Sequence, residues 1–429
     1  MNSKGVIRTL IISNNPLSET NNNGKTIASF FSSSQKYNLS QLYFSNEVPV
    51  SNITNNFYNI SDSDVLKSIF YKDQKTGQVV KLSNNQRDDK NNINFQKVIR
   101  YTKKSQLSRI LRETAWQIAS WNNDELNQWL EAVNPELLFF VAGDSLFAYQ
   151  IAQYIQQKFS TKMIVYITDD YILKRQTLNP FWWTRRNKLI KKMRTVINDA
   201  DLLITISPKM QEVYSRIFNK KSFVAANISE SMKTREEKKT SSYRFVYTGG
   251  LHLNRDKILL KIGEAIEEIN ENFEENIEFY IYSNNNPTPG FIRRIEKLEC
   301  TIFGGSLNPV ELKTALNNAD SPIFVESFDK KSIEATRLSL STKIPEYLSL
   351  GKPIIAIGPD NISSMNYLSK VAFCINSSNN IKDGITNFMF KRDKGSYGKK
   401  AIKLYNSKHN KEAILSAFNE EVDKIVKGK

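Results

Sequence analysis

The sequence predicts an α/β chain of two Rossmann-like, doubly wound domains, and three observations predict it. Short, continuous apolar runs recur from end to end, helix-length segments separate them, and 429 residues are too many for one ordinary core. An apolar run without alternation reads as a strand buried on both faces, and such strands separated by helices build parallel sheets with helices on both sides. At roughly 100–200 residues per domain, the length fits two domains.

Taken in order, 6–13 (VIRTLIIS) opens the first domain, and 137–142 (LLFFVA), 163–168 (MIVYIT), 202–207 (LLITIS) and 223–226 continue it. The second domain runs through 245–248, 277–282, 323–326, 353–357 and 371–375. Between them, 229–242 (SESMKTREEKKTSS) is polar and aperiodic, as a linker is. The expected division is therefore 1–228, a linker at 229–242, and 243–410. A C-terminal helix within 411–429 is free to pack back on the first domain. Segment 77–94, rich in Asn, Lys and Asp, reads as a surface loop, and no solenoid repeat is evident.

Composition narrows the class. Hydrophobic residues at 40% and aromatics at 11% exclude a disordered chain. The two cysteines, Cys300 and Cys374, stand far apart, which excludes a disulfide framework and fits a reducing cytoplasm. With only His252 and His409 beside them, no typical structural zinc site can form. The N-terminus runs into its first strand without the apolar region of a signal peptide, and no window approaches roughly 20 apolar residues. The expected location is the cytoplasm, with peripheral contact at the inner face of the membrane. A formal net charge of +16 favours anionic partners: phosphorylated small molecules, acidic lipid or nucleic acid.

Segment 341–356 (STKIPEYLSLGKPIIA) is the most informative. Ser341 and Thr342 precede a short helix, Gly351 ends it, and a buried strand follows. Free amides at such a helix start attract a pyrophosphate. Glu346, one turn inside, offers a carboxylate to a ribose diol, and Lys343 adds positive charge at the same mouth. In 247–257 (YTGGLHLNRDK) a strand runs into Gly249 and Gly250, where bare backbone admits a ligand, and Arg255 starts the next helix with a guanidinium able to fork onto phosphate oxygens.

Together with 303–312 (FGGSLNPVEL) and Ala319-Asp320, these segments resemble the donor domain of GT-B glycosyltransferases, most closely the retaining family-4 type. The resemblance implies donor contacts from Gly249, Gly250, Arg255, Ser283, Gly304, Ser341, Thr342, Lys343 and Glu346. Glu346 would take the ribose, and Arg255 or Lys343 the leaving diphosphate of a nucleotide sugar, with UDP-sugars favoured. It also implies a cleft between the two domains, and needs neither metal nor other cofactor. Two departures stand out. The family's second glutamate, eight residues before Glu346, is replaced by Leu338, and Gly250 occupies the place of a frequent arginine.

In the first half, 13–26 (SNNPLSETNNNGKT) ends in a Gly-Lys-Thr, but Glu19 replaces the first glycine of a P-loop, which excludes that motif. The family resemblance makes Asn23 and Gly24 acceptor-side candidates. Asp169 and Asp170, at the end of a predicted strand, are candidates for binding or deprotonating an acceptor hydroxyl, against the alternative of a cap or turn. Asp199 and Asp201 read as structural. Two basic, aromatic-bearing stretches remain. One contains Phe95, Lys97, Arg100, Lys103, Lys104, Arg109, Arg112 and Trp116, and the other Trp182, Trp183, Arg185, Arg186, Lys188, Lys191, Lys192 and Arg194. Such stretches either bind anionic membrane or are soluble helices with solvated charges.

The expected function is sugar transfer to a hydroxyl of a saccharide, lipid-linked, in capsule, exopolysaccharide or wall synthesis. A protein acceptor, an epimerase of the same fold and a non-catalytic partner subunit are the competing readings. No recognised motif supports nucleic-acid binding.

Overall fold

The computed structural model describes residues 5–18, 22–31, 35–71, 76–80, 106–225, 228, 230–233 and 241–427. Most of the predicted linker, the 81–94 part of the predicted loop, and Glu19, Phe95, Lys97, Arg100, Lys103 and Lys104 lie outside the described residues, as does the side chain of Asn23.

The chain forms two compact units. Unit 1 comprises the described residues up to Ile206, then Gln211–Val224 and the chain from Phe418 onward; unit 2 comprises Ser207–Met210 and Ala225–Ala417. Among the described residues, unit 1 holds eight strands in the order β4-β3-β2-β1-β5-β6-β7-β8. They are β1 Ile7–Ser13, β2 Tyr37–Tyr43, β3 Phe57–Asn59, β4 Gln78–Val80, β5 Leu137–Ala142, β6 Lys162–Ile167, β7 Leu202–Thr205 and β8 Ser222–Val224. All pairings are parallel except β3 with β4.

The described residues of unit 2 form six parallel strands in the order β11-β10-β9-β12-β13-β14. These are β9 Tyr243–Thr248, β10 Ile277–Tyr282, β11 Thr301–Gly305, β12 Ser321–Val325, β13 Ile355–Ile357 and β14 Phe373–Ile375. Both sheets therefore reverse strand order once, between β1 and β5 in unit 1 and between β9 and β12 in unit 2. Open α/β sheets bind ligands at the carboxyl ends of the strands flanking such a reversal.

Apolar continuity explains the central strands: Leu137, Leu138, Phe139 and Phe140 of β5 are all fully buried. Four strands, β2, β3, β4 and β11, are not among those the sequence predicts. β2 reads YNLSQLY, and its Gln41 is nevertheless fully buried. The Gln41 amide group donates to Ser13 Oγ (2.8 Å) and Asn15 O (3.2 Å), while its carbonyl accepts from Leu17 N (2.8 Å). A buried polar group with both ends satisfied costs little, so the strand needs no apolar residue there.

The helix Lys411–Lys427 places Phe418 among Phe30, Phe31, Tyr37 and Phe139 of unit 1, with a ring-centroid distance of 5.1 Å to Phe30. Tyr37 also donates to Asn419 Oδ1 (2.5 Å), and Lys36 pairs with Asp423 (3.0 Å). Among the described residues, no helix is long and apolar enough to cross a membrane.

Candidate functional site

In unit 2 the reversal lies between the loop after β9 and the loop after β12. Arg255, the first residue of the helix Arg255–Phe273, reaches across it to Glu326, the residue after β12. The guanidinium meets both carboxylate oxygens: Nη2 lies 3.0 Å from Oε1 and 2.8 Å from Oε2, and Nε donates to Oε2 at 3.2 Å. The two side chains are 13% and 3% exposed, so this is a buried, bidentate pair. Burial pushes the Glu326 carboxyl up, against the pull of Arg255. The remaining Nη1 lies 3.1 Å from His252 Nε2. Arg255 is thus fixed in place, and its fork is engaged by protein rather than open to phosphate.

The same loop is held twice more. Asn254 Nδ2 donates to Asp329 Oδ2 (3.0 Å), and Ser332 Oγ donates to Leu253 O (2.9 Å). Leu253 and Asn254 both have left-handed backbone, with φ of 59° and 56°. Asparagine tolerates that region, but leucine in it costs about 1–2 kcal/mol, strain that persists only where surrounding contacts over-determine the loop. Desolvation alone would push the Asp329 carboxyl up, but bonds from Ser332, Asn254 and Ser327 outweigh it and hold it well below the usual range.

The second motif joins the first through Tyr347. This side chain is 1% exposed; its hydroxyl accepts from Thr248 N (2.9 Å) and donates to Thr248 O (3.2 Å), the last residue of β9. The tie sets the helix Lys343–Ser349 against the end of β9. On that helix Lys343 Nζ lies 3.2 Å from Glu346 Oε2, with the two side chains 31% and 14% exposed. Ser341 Oγ accepts from Lys343 N (3.3 Å), while the Ser341 amide donates to Ser364 Oγ (3.2 Å). Of the two amides expected to receive a pyrophosphate, that of Ser341 is therefore already bonded. Thr342 is exposed, and its side chain makes no capping bond.

The glycines expected to admit a ligand are filled by this chain's own side chains. A Cβ on Gly249 would stand 2.6 Å from the Tyr247 hydroxyl, one on Gly250 2.4 Å from the His252 ring, and one on Gly304 2.2 Å from the Tyr282 ring. These positions lack side chains because neighbouring rings occupy the space. Ser283 is buried; its amide donates to Gly305 O (2.8 Å), and its Oγ accepts from Asn285 N (3.1 Å), so it shapes the turn after β10.

In unit 1, Asp170 is 2% exposed, and its Oδ1 accepts from Ile172 N (3.1 Å) and Leu173 N (2.9 Å). It is a turn-holding carboxylate withdrawn from solvent, a placement that answers to the turn reading rather than to acid–base work. Asp169 accepts from the Asp170 amide (2.8 Å). Gly24 is buried; a Cβ there would lie 2.4 Å from Pro16 O and 2.7 Å from Ser18 N, so it serves close packing of the preceding loop instead of opening a path to ligand. Asp201 accepts from Met163 N (2.8 Å) and Lys162 Nζ (3.0 Å), a structural role.

A cavity of about 500 Å³ opens at the β1/β5 reversal, bordered by Ser13 at the end of β1, by Asn14 and Asn15 after it, and by Gly143, Asp144 and Ser145 after β5. Arg109 and Arg112, on the helix Gln106–Ile118, line it and pair inward, Arg109 with Asp144 and Arg112 with Asp62 (2.7 Å). For these two arginines the membrane reading gives way to a packing one. Arg185 lines the same cavity between Glu113 (3.6 Å) and Asp144 (3.5 Å). Burial pushes the Glu113 carboxyl up, opposed by the Leu146 amide and by Arg185.

In the second basic stretch, Trp182 and Trp183 are half-buried, Trp183 Nε1 donates to Thr177 O (2.9 Å), and Arg186 lies over both rings. The residues left bare are Leu178, fully exposed, and Phe181, 47% exposed, beside exposed Lys188, Lys191 and Arg194.

Sequence reasoning missed Glu326 and Tyr347 as site-forming residues. Tyr347 had a usable signal, a large polar aromatic next to Glu346 in a short helix between buried segments; Glu326 had none.

No family model matches the chain, and no curated protein matches it by sequence. Solved structures do match. Anabaena Alr3699/HepE in complex with UDP and glucose is 10% identical, with 97% of this chain and 99% of that one covered at a TM-score of 0.59. The lipopolysaccharide outer core galactosyltransferase WaaB is 13% identical over 96% and 99%, at 0.56. The α,α-trehalose 6-phosphate synthase of Burkholderia multivorans is 8% identical over 99% and 98%, at 0.58. The chain has the two-sheet α/β fold of these proteins, the GT-B fold that its motifs lead one to expect.

Proposed function

We propose that this chain is a glycosyltransferase that moves a sugar from a nucleotide diphosphate sugar, a UDP-sugar first among them, to a hydroxyl of a saccharide acceptor. The observation that carries the reading is the Tyr347–Thr248 tie, which sets Lys343 and Glu346 at the carboxyl end of β9 beside the unit 2 reversal. Glu346 takes the ribose diol, and Lys343, already beside it, takes diphosphate charge. Arg255, whose fork is held by Glu326, braces the loop behind them rather than meeting the diphosphate itself. Transfer with retention needs no protein nucleophile; positioning and electrostatic stabilisation of the departing diphosphate do the work. A lipid-linked saccharide of a capsule, exopolysaccharide or wall pathway is the proposed acceptor, with the chain peripheral on the cytoplasmic membrane face. The exposed Leu178, Phe181 and basic helix face support that location.

Thermal-shift screening of the full chain against nucleoside diphosphates and their sugars tests the reading. A donor at 100 times its dissociation constant stabilises by about 2.7 kcal/mol. Absence of a shift with every nucleotide sugar would sink the proposal. Donor binding without UDP release, across an acceptor panel, would instead select the non-catalytic partner reading.

A further inference from the structure

We propose that the unit 1 cavity binds an uncharged sugar carrying an apolar substituent, and that such a neutral glycoside is the acceptor class. The role as acceptor rests on the transferase reading; the binding chemistry does not.

Three observations carry the class. The first is place and size. The cavity sits at the carboxyl ends of β1 and β5, where the strand order reverses, and about 500 Å³ falls within the roughly 300–1,000 Å³ of small-molecule sites.

The second is charge. Among the described residues, the charged ones lining it are Arg109, Arg112, Arg185, Asp62, Glu113 and Asp144, whose formal charges, three positive and three negative, sum to zero. Each guanidinium faces a carboxylate. Arg112 further donates to Ser145 Oγ (2.9 Å), and Glu113 accepts from the amides of Leu146 (2.9 Å) and Phe147 (3.3 Å). A phosphate entering here would meet carboxylates at every arginine and would have to break a pair to gain one. Binding sites for anions leave the fork open; this one closes it.

The third is the mixed wall. Ile27, Phe44, Leu66, Leu111 and Val141 offer an apolar surface, and Asn14, Thr168 and Tyr171 offer neutral hydrogen-bonding groups beside it. That combination matches a ligand with hydroxyls and an apolar side, and the described lining residues carry none of the chain's net charge of +16. Gly143 adds a means of testing: a Cβ at this lining position would meet no atom within 4 Å, so a side chain can start there in open space and extend into the cavity.

Calorimetric titration of the full chain compares phenyl glycosides of glucose, galactose and N-acetylglucosamine with the three free sugars and their 6-phosphates. At least one phenyl glycoside is expected to bind about tenfold or more tightly than its free sugar and its 6-phosphate, because the ring buries apolar area. Gly143→Leu is expected to weaken that binding at least tenfold, with an unchanged melting profile reporting an intact fold. The proposal is overturned if no phenyl glycoside binds, if a 6-phosphate binds more tightly, or if Gly143→Leu leaves binding unchanged. A parallel UDP titration keeps the two ideas apart: loss of UDP binding alone strikes the transferase reading and leaves the cavity assignment standing.

Discussion

The reversal in unit 1 opens into a cavity of about 500 Å³, whereas the equivalent reversal in unit 2 is spanned by the Arg255–Glu326 pair. The topology at the two places is the same, and so is the general rule that ligands bind there. What differs is the residue that leaves each strand. After β5 the chain continues through Gly143, which leaves open space; after β12 it continues through Glu326, whose carboxylate reaches a guanidinium on the next loop. A parallel sheet therefore specifies where a ligand can bind, and one or two side chains decide whether that place is hollow or braced. In unit 2, Lys343 and Glu346, the groups proposed to meet the donor, stand apart from the brace on the helix Lys343–Ser349.

The comparison breaks most visibly at the brace. Arg255→Ala or Glu326→Ala leaves one charge buried without its partner, and the expected loss is about 3–5 kcal/mol in urea denaturation. Arg255→Met combined with Glu326→Leu is expected to recover most of it. Arg112→Ala in unit 1 is expected to cost less, because that pair is 23% and 12% exposed. Equal losses at Arg255 and Arg112 would mean that the two reversals are built alike.

Glycines sharpen the contrast within unit 1. Gly24→Ala drives a methyl onto the backbone of Pro16 and Ser18, for an expected cost of about 1–3 kcal/mol. Gly143→Ala meets open space and is expected to stay within about 0.5 kcal/mol of wild type. Matching thermal unfolding of the two variants would remove the cavity's open wall.

These glycines also show how far the sequence could be read. The continuous apolar strands, such as Leu137–Ala142, were legible because burial on both faces demands them. The strand Tyr37–Tyr43 was not, since its buried Gln41 is satisfied by groups far along the chain. The short helix carrying Lys343 and Glu346 was legible from the segment 341–356, but their 3.2 Å pairing was not. Glu326 was hidden because its partner lies 71 positions away, and Arg109 and Arg112 looked like surface charge because their acids lie 35 and 50 positions away. A glycine in sequence shows only that a side chain is absent. Whether a ligand or a neighbouring ring takes the space is a tertiary fact, and at Gly249, Gly250 and Gly304 it is a ring.

A smaller effect is expected at the surface. Replacing Leu178 and Phe181 together by Ser should weaken binding to anionic vesicles several-fold, with little change for neutral ones. Undiminished binding to anionic vesicles would remove this tip from any membrane contact.

The smallest effect concerns pH. The depressed Asp329 carboxyl helps hold the strained loop, so its contribution is present above the unfolded value of about 3.9 and is lost as pH falls through the lower folded value. Asp329→Asn should be less stable than wild type near neutrality, with the gap closing in acid. A gap that widened in acid would reverse the sign of the argument.

The central claim is that unit 2 holds the nucleotide sugar through Lys343 and Glu346 while the unit 1 cavity serves a different ligand. Calorimetric titration with UDP-glucose of wild type, Glu346→Gln and Gly143→Leu tests it most directly. Removing a charged hydrogen-bond partner costs about 1.5–3 kcal/mol, so Glu346→Gln should bind at least tenfold more weakly, with Gly143→Leu unchanged. Full affinity in Glu346→Gln, or loss of affinity in Gly143→Leu, would contradict the account.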